Sequence, residues 1–222
     1  MPIILNIETS STNCSVSLSN NENLVDCLEK DSPNYSHSQK LHLFISELIE
    51  KNNISFKDLD AVAVGIGPGS YTGLRIGLSA AKGICYALDI PLISVSSLEN
   101  MVSNIEFDGI IISTIDARRD EVYSCVFGKD KRVLREELPE IINSNSYIDY
   151  SNTDKVLIVG NGQQKCKEII DFNKKFNWNM DIQKPSASNM GNIAYKKFEL
   201  NDFEDIAYCE PKYLKEFKTN NV

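Results

Sequence analysis

The most concentrated chemical signal in this chain is glycine, which crowds into one short segment. Six of the eleven glycines lie between Gly65 and Gly83. Glycine-rich turns that lead into a helix bind phosphate through bare backbone N–H groups, so a nucleotide loop is the first chemistry to test. The segment lacks the Gly-Lys-Ser/Thr ending of a P-loop, and Gly67, Gly69 and Gly73 are one residue too widely spaced for the dinucleotide fingerprint. The spacing therefore argues against a nicotinamide enzyme.

Side chains that could act as nucleophiles or metal ligands are few. Ser70 lies in Gly-Pro-Gly-Ser-Tyr-Thr-Gly rather than Gly-x-Ser-x-Gly, so we expect it to cap a helix, where serine is favoured over alanine by about 1 kcal/mol. His37 and His42 are the only histidines. A five-residue separation turns them about 140° apart on a helix, so both are predicted at the surface. The six cysteines form no Cys-x-x-Cys pair. We therefore expect no catalytic set, no metal site and no cofactor.

The elements around the glycine segment alternate between strands and helices. The run before it resembles a buried strand, Gly67-Pro-Gly69 turns the chain, and helix-forming residues continue from Tyr71 to Leu88. Hairpins are predicted at residues 3–7 with 14–18 and at 109–116 with 121–127. The remaining predictions are helices from Ser36 or Ser38 to about Asn52, at 163–176 and at 189–200, strands at 91–95 and 155–159, a capped turn at 55–58, a segment at 96–103, a polar connection at 143–153 and a fraying tail at 215–222. Two hairpin starts, each followed by alternating helix and strand, predict a duplicated α/β fold with mixed sheets and flanking helices.

One face of the predicted helix at 71–88 carries almost no side chains. Small residues recur there at every fourth position, so another backbone could approach closely. Leu74, Ile76 and Leu78 already supply apolar positions on the other sides. Glycine inside a helix costs up to about 1 kcal/mol relative to alanine, so Gly73 and Gly77 suggest a close contact that offsets this loss. The alternative is that the face packs against the protein's own sheet. We predict instead a partner-docking face formed by Gly69, Gly73, Gly77, Ala81 and Cys85.

Composition sets further bounds on function. A chain of 222 residues with 42% hydrophobic content can form one or two small domains with proper cores. A net charge of -8 and a pI near 4.9 argue against unaided binding to nucleic acid or to an anionic membrane, so any RNA would need a basic partner. Scattered cysteines without a disulfide framework, no basic leader and no run of membrane-spanning length predict a cytoplasmic protein.

Four segments, which span nearly the whole chain, resemble the bacterial TsaB family. They are Ile7-Glu-Thr-Ser10, Gly67-Pro-Gly-Ser-Tyr-Thr-Gly-Leu-Arg-Ile-Gly77, Asp116-Ala-Arg-Arg-Asp-Glu-Val-Tyr123 and Pro211-Lys-Tyr-Leu-Lys215. The glycine segment is the most specific of them. The resemblance implies the actin-like (ribonuclease H-like) fold of the actin, Hsp70 and hexokinase superfamily. We expect an N-terminal subdomain at 1–104 plus 187–222, which carries the docking helices, and a smaller second subdomain at 105–186.

The superfamily resemblance also makes a nucleotide site the first enzymatic hypothesis. ATP would then lie between the two hairpins, with Glu8 and Asp116 holding magnesium in a small-molecule kinase or ATPase. Both turns depart from that pattern, because Glu8 is followed by Thr9-Ser10 rather than glycine, and Asp116 is followed by alanine and two arginines. We therefore treat Glu8 and Asp116 as vestigial nucleotide-site candidates. A metallopeptidase is a weaker alternative, because Ser97 and Met101 align with the histidines of the catalytic relative's metal helix, and neither is a credible ligand.

The TsaB resemblance implies a non-catalytic subunit that is required for making threonylcarbamoyladenosine beside the tRNA anticodon. In that family, the glycine-rich helix and the helix before it pair with the equivalent helices of the catalytic subunit TsaD. We therefore expect docking to TsaD, a surface completed for the ATPase TsaE, and contact with tRNA only through the complex. Without its partner, the chain is expected to form a homodimer. The docking residues on the preceding helix are predicted to be Leu41, Phe44 and Leu48.

Overall fold

The computed structural model describes residues 1–32, 37–152, 155–170, 176–182 and 184–215. Their strands form two five-stranded sheets with the orders β3-β2-β1-β4-β5 and β10-β9-β6-β7-β8. The strands are β1 (Ile3–Glu8), β2 (Asn13–Asn20), β3 (Asn23–Asp31), β4 (Ala61–Gly67), β5 (Leu92–Ser96), β6 (Ile110–Asp116), β7 (Glu121–Phe127), β8 (Val133–Ile141), β9 (Val156–Val159) and β10 (Phe176–Trp178). The helices are α1 (His37–Lys51), α2 (Tyr71–Leu88), α3 (Ser97–Val102), α4 (Ile148–Ser151), α5 (Gln163–Ile169) and α6 (Gly191–Glu199).

The two sheets share one topology. In the first, β1 pairs antiparallel with β2 and parallel with β4. In the second, β6 pairs antiparallel with β7 and parallel with β9. Each sheet is therefore a hairpin extended by a parallel strand that arrives after a helical crossover. The predicted duplicated α/β fold with mixed sheets is confirmed.

The first sheet is covered on both faces. Strand β1 alternates its side chains, so that Leu5 and Ile7 join the core under α1 and α2, while Ile4 joins the core under α6. All three side chains are fully buried. The apolar stripe of α1 that contains Leu41 and Leu48 closes the first of these cores. Helices α1 and α2 therefore lie together on one side of the first sheet, opposite α6.

Two strands are not predicted from the sequence. Strands β3 and β8 each form the third strand beside a predicted hairpin, at the edge of their sheets. Their side chains are mostly exposed or half-buried, so the apolar alternation that reveals a buried strand is weak in both. The backbone pairing with β2 and β7, rather than side-chain burial, determines these two strands.

Some other bounds of helices and strands differ from the predicted ones. Helix α5 ends at Ile169 rather than at Phe176, which instead begins the edge strand β10. A short helix, α4, interrupts the predicted polar connection. Helix α2 has the predicted bounds, and the cap predicted at Ser70 is confirmed, because its hydroxyl accepts a hydrogen bond of 3.2 Å from the Gly73 N–H. Ser36 and the tail beyond Lys215 lie outside the described residues.

None of the described helices combines the length and the apolar character that crossing a bilayer requires.

Candidate docking surface and the glycine segment

The glycine segment forms a strand, a tight turn and a helix in immediate succession. Strand β4 ends at Gly67, whose φ of +109° is a backbone conformation that side-chain-bearing residues rarely adopt. The backbone N–H of Ser70 then donates a 2.6 Å hydrogen bond to the Ser10 carbonyl oxygen, which ties the turn to the end of β1. The turn thus delivers the start of α2 directly onto the loop that follows the first strand.

The small-residue face of α2 is covered by this same loop, which corrects the prediction that it is open to a partner. A Cβ on Gly73 would stand 2.1 Å from the Thr9 carbonyl oxygen, and one on Gly77 would stand 2.3 Å from the Thr9 hydroxyl oxygen. A Cβ on Gly69 would stand 2.4 Å from the Ser10 carbonyl oxygen. Real Cβ atoms do not approach backbone so closely. These glycines therefore serve internal packing, which was the alternative that the sequence left open.

The other predicted docking residues are also mostly internal. They join the core between α1, α2 and the first sheet, and the four that are fully buried are Leu41, Leu48, Ala81 and Cys85. Phe44 and Gly69 are the two of the eight that retain partial exposure, and Phe44 packs against that core. The inner sides of α1 and α2 are therefore not open to a partner as predicted, because a run of small residues marks a close approach without showing which backbone approaches.

The surface that α1 and α2 present to solvent lies on their opposite sides. Leu43 is 66% exposed and Tyr86 is 82% exposed, although both are large and apolar in character. A Cβ on Gly83 would meet nothing within 4 Å. We define the outer face as the exposed and half-buried residues Leu43, Phe44, Ile76, Ser79, Gly83 and Tyr86.

A groove adjoins the outer face between the two helices. It encloses about 570 Å³ and is lined by Ser38, His42, Tyr71, Thr72, Arg75, Ile76, Ser79 and Ala80. The sequence did contain a signal for this side of α2, because Ser79, Gly83 and Ala87 form a second row of small residues at four-residue spacing. All three are exposed, unlike the first row. The outer face therefore has the small-residue character that was predicted for the inner one.

Glu8 is a fully buried acid at the end of β1. Its Oε1 accepts a 2.7 Å hydrogen bond from the Ser10 N–H, and its Oε2 accepts longer ones from Ser97 Oγ (3.3 Å) and Asn100 Nδ2 (3.5 Å). Burial raises the pKa of the Glu8 carboxyl, against the lowering effect of the hydrogen bonds from Ser10 and Ser97. A Cβ on Gly65 would stand 2.3 Å from its Oε2. The carboxyl thus packs on its own sheet and on α3.

Asp116 occupies the corresponding position in the second hairpin and is exposed. Its Oδ1 lies 2.8 Å from Lys165 Nζ and accepts a 2.6 Å hydrogen bond from the Arg118 N–H. The Asp116 N–H donates to Asn161 Oδ1 at 2.9 Å. Asp116 therefore braces the turn of its own hairpin, as Glu8 braces the loop after β1.

The two histidines differ in their environment. His42 is exposed and lines the groove, as predicted. His37 is buried, and its Nε2 is 2.8 Å from the Ser11 carbonyl oxygen, so the prediction that it lies at the surface is wrong. The fold places the start of α1 against the loop after β1, which the sequence could not show. Burial lowers the pKa of His37. Among the described residues, no three His, Cys, Asp or Glu side chains cluster closely enough to hold a metal ion.

Comparison with known proteins gives consistent matches along the chain. The family model described as TsaD, tRNA N6-adenosine threonylcarbamoyltransferase, matches residues 33–220. The tRNA threonylcarbamoyladenosine biosynthesis protein TsaB of Escherichia coli is 29% identical over 99% of this chain and 95% of its own length. The Bacillus subtilis protein of the same name is 38% identical over 47% of this chain and 46% of its own. The solved structure of YeaZ from Pseudomonas aeruginosa superposes with a TM-score of 0.85 at 22% identity, over 96% of this chain and all of the other.

Proposed function

Because this chain belongs to the TsaD family, and is a TsaB/YeaZ-like member of the actin-like superfamily, we propose that it is the non-catalytic docking subunit of the threonylcarbamoyl transfer reaction. The role in tRNA threonylcarbamoyladenosine biosynthesis follows from its TsaB relatives. In the proposed assembly, a TsaD-type subunit transfers the threonylcarbamoyl group to the adenosine beside the anticodon. This chain binds that subunit and helps to form the surface on which the ATPase TsaE acts.

The observation that carries this proposal is the outer face. Leu43 and Tyr86 leave a large apolar area in water on two adjacent helices, and Gly83 lets a facing backbone come close. A face of this kind pairs most readily with another copy of the same helix pair, through a two-fold axis. A catalytic subunit of the same family would carry an equivalent helix pair, so it could take the place of the second copy. The outer face is therefore suited to binding a family member that carries an equivalent helix pair.

The geometry near Glu8 and Asp116 supports a docking role over the kinase or ATPase alternative. A phosphate chain needs open backbone N–H groups, yet the Ser10 carbonyl oxygen and Thr9 fill the space beside Gly69 and Gly73. Asp116 already has Lys165 as its cation. Titration calorimetry with Mg-ATP separates the two proposals: heat that saturates at one site per chain, and that Glu8→Gln abolishes, would favour the enzyme.

Docking is tested with a variant of the outer face. We expect Tyr86→Ala to weaken binding to the TsaD protein of the same organism by about tenfold or more, because a large aromatic side chain at an interface contributes at least about 1.4 kcal/mol. The matched control is Leu200→Ala, which is 78% exposed next to α6 on the other side of the first sheet. Both variants are checked for folding by circular dichroism. Unchanged affinity in a folded Tyr86→Ala protein would contradict the proposed face.

A further inference from the structure

The arginines of this chain fall into two groups, those that form an ion pair with a described carboxylate and those that do not. There are five, and two of them pair with carboxylates: Arg132 Nε lies 3.7 Å from Asp130, and Arg135 Nη2 lies 2.6 Å from Glu140. The other three, Arg75, Arg118 and Arg119, are exposed and form no ion pair with any described residue. The segment at 211–215 contacts Arg75 through Tyr213, and it contacts the turn that carries Arg118 and Arg119 through Lys215.

Arg75 is held between two tyrosines at the start of α2. Its guanidinium carbon lies 3.8 Å from the centre of the Tyr71 ring, and its Nε donates a 3.0 Å hydrogen bond to the Tyr213 hydroxyl. The two rings are themselves 5.1 Å apart. Stacking on the rings orients the guanidinium while leaving most of its N–H donors without an acceptor among the residues that the structure describes.

The segment that contains Tyr213 continues to the turn between β6 and β7. Lys215 Nζ lies 3.4 Å from the Ala117 carbonyl oxygen and 5.4 Å from the centre of the Tyr123 ring. The turn places Arg118 and Arg119 next to this lysine. Both arginines have positive φ values, 68° and 50°, and both side chains are exposed. The segment thus joins the two sites that hold unpaired arginines.

The neighbouring lysines contribute little free charge. Lys165 pairs with Asp116, Lys212 Nζ lies 3.0 Å from Glu137, and Lys215 pairs with Glu121. Asp120 is an exposed acid in the same turn. Glu210, directly before the segment at 211–215, is a second exposed acid. After these pairings, the three arginines outnumber these two acids. We define the arginine–tyrosine surface as Tyr71, Arg75, Arg118, Arg119, Tyr123 and Tyr213.

We propose that the arginine–tyrosine surface binds the phosphodiester chain of single-stranded RNA. The arginines would contact phosphates, and an unpaired base would extend the exposed stack that Tyr71, Arg75 and Tyr213 form. The aromatic rings favour RNA over a purely acidic peptide such as polyglutamate, because the side chains of that peptide would use only the charges. This proposal deepens the proposed function, on which it rests, by giving the docking subunit its own contact with the RNA substrate.

The acidic net charge of the chain does not prevent such a contact. At 0.1 M salt, electrostatic interactions between exposed charges are screened over about 10 Å. A phosphate at this surface is therefore influenced mainly by the local arginines and Asp120 rather than by acids on the far side. We accordingly expect weak binding by the isolated chain, which a basic partner would strengthen.

The test measures the fluorescence anisotropy of a labelled single-stranded RNA of about 12 nucleotides with the isolated full chain, at several salt concentrations. We expect Arg118→Gln with Arg119→Gln to weaken binding about tenfold. The slope of log K against log salt should become shallower by about 1.4, because each lost phosphate contact removes about 0.7. The matched control is Arg132→Gln, an exposed arginine at another turn of the same sheet, which should bind like the wild type. Ultraviolet crosslinks are expected at Tyr71 or Tyr213.

Three results would overturn the inference: no RNA binding by the wild type at low salt, an unchanged salt slope in the double variant, or equally effective competition by polyglutamate. The last result would indicate an acidic protein instead. Binding of the wild-type chain to TsaD, measured beside its RNA binding, keeps this inference separate from the docking proposal. If the wild type binds TsaD but not RNA, only the RNA surface is wrong. If the wild type binds RNA but not TsaD, only the docking role is wrong.

Discussion

The hydroxyl of Thr9 donates a 2.8 Å hydrogen bond to the carbonyl oxygen of Gly73, 64 residues further along the chain. Both groups are buried, and the Thr9 carbonyl oxygen occupies the space in which a side chain of residue 73 would start. The loop after β1 and the first turn of α2 are therefore in backbone contact. This contact explains the glycine repeat without a partner.

We first predict that Gly73→Ala destabilises the protein, because the new Cβ would collide with the Thr9 carbonyl oxygen at 2.1 Å. Overpacking of this kind costs about 1–3 kcal/mol. The control is Gly83→Ala on the same helix, where nothing lies within 4 Å and helix propensity should stabilise by up to about 1 kcal/mol. Urea denaturation compares the two. Equal effects of the two substitutions would refute the internal role of the glycine repeat.

Thr9 itself provides the second prediction. Thr9→Val keeps the shape but removes the hydroxyl that donates to Gly73, so we expect a loss of about 1 kcal/mol in the free energy of unfolding. Thr9→Ser, which retains the donor, should lose less through this bond. Hydrogen exchange of the α2 amides adds a local measurement, in which the valine variant should exchange faster near the start of the helix. Slower exchange in that variant would count against the bond.

The third prediction concerns pH. Burial raises the pKa of Glu8 above its ordinary value of 4.5, so the folded state holds this proton more tightly than the unfolded chain does. The contribution to stability is full below pH 4.5 and is lost as the pH rises through the folded pKa. Glu8→Gln mimics the neutral form, and its free energy of unfolding relative to the wild type should therefore increase as the pH rises above 4.5. A difference that stays constant above pH 4.5 would show that the fold does not raise the pKa of Glu8.

The fourth prediction addresses self-association. In the absence of a partner, the outer face should be covered by a second copy of the chain, so light scattering at micromolar concentration should give the mass of a dimer. Leu43→Glu places a charge in that face and should shift the protein to monomer. Leu134→Glu, at a 43% exposed position of β8 in the second sheet, is the control and should remain dimeric. A monomeric wild type would contradict this use of the face.

The contact between Thr9 and Gly73 also changes how the docking helices can be probed. Substitution of Gly77 by leucine would place a large side chain against the Thr9 hydroxyl, 2.3 Å from the new Cβ. A loss of docking in that variant would then report damage to the fold. Gly83, on the open side of α2, is the informative position, and Gly83→Leu should block a partner while leaving the core intact.

Much of the architecture follows from local sequence. The turn at Gly67, the cap at Ser70 and the bounds Tyr71–Leu88 depend on backbone conformation and hydrogen bonds between near neighbours, so residue type alone predicts them. The two hairpins are likewise visible as apolar runs separated by turn residues. The edge strands β3 and β8 are not, because their pairing partners lie outside the segment and their side chains are largely solvated.

Only the tertiary structure determines which side of each helix faces the core and which side faces solvent. Both rows of small residues on α2 read alike in the sequence, with Gly73 and Gly77 in one and Ser79 and Gly83 in the other. Helix periodicity separates the rows, but the direction in which each faces depends on how the chain crosses from β4 back over β1. The tertiary fold also buries His37 against the loop after β1 and brings Tyr213 to Arg75, 138 residues apart in the chain. Such contacts between distant segments depend on the path of the whole chain, which local residue patterns do not encode.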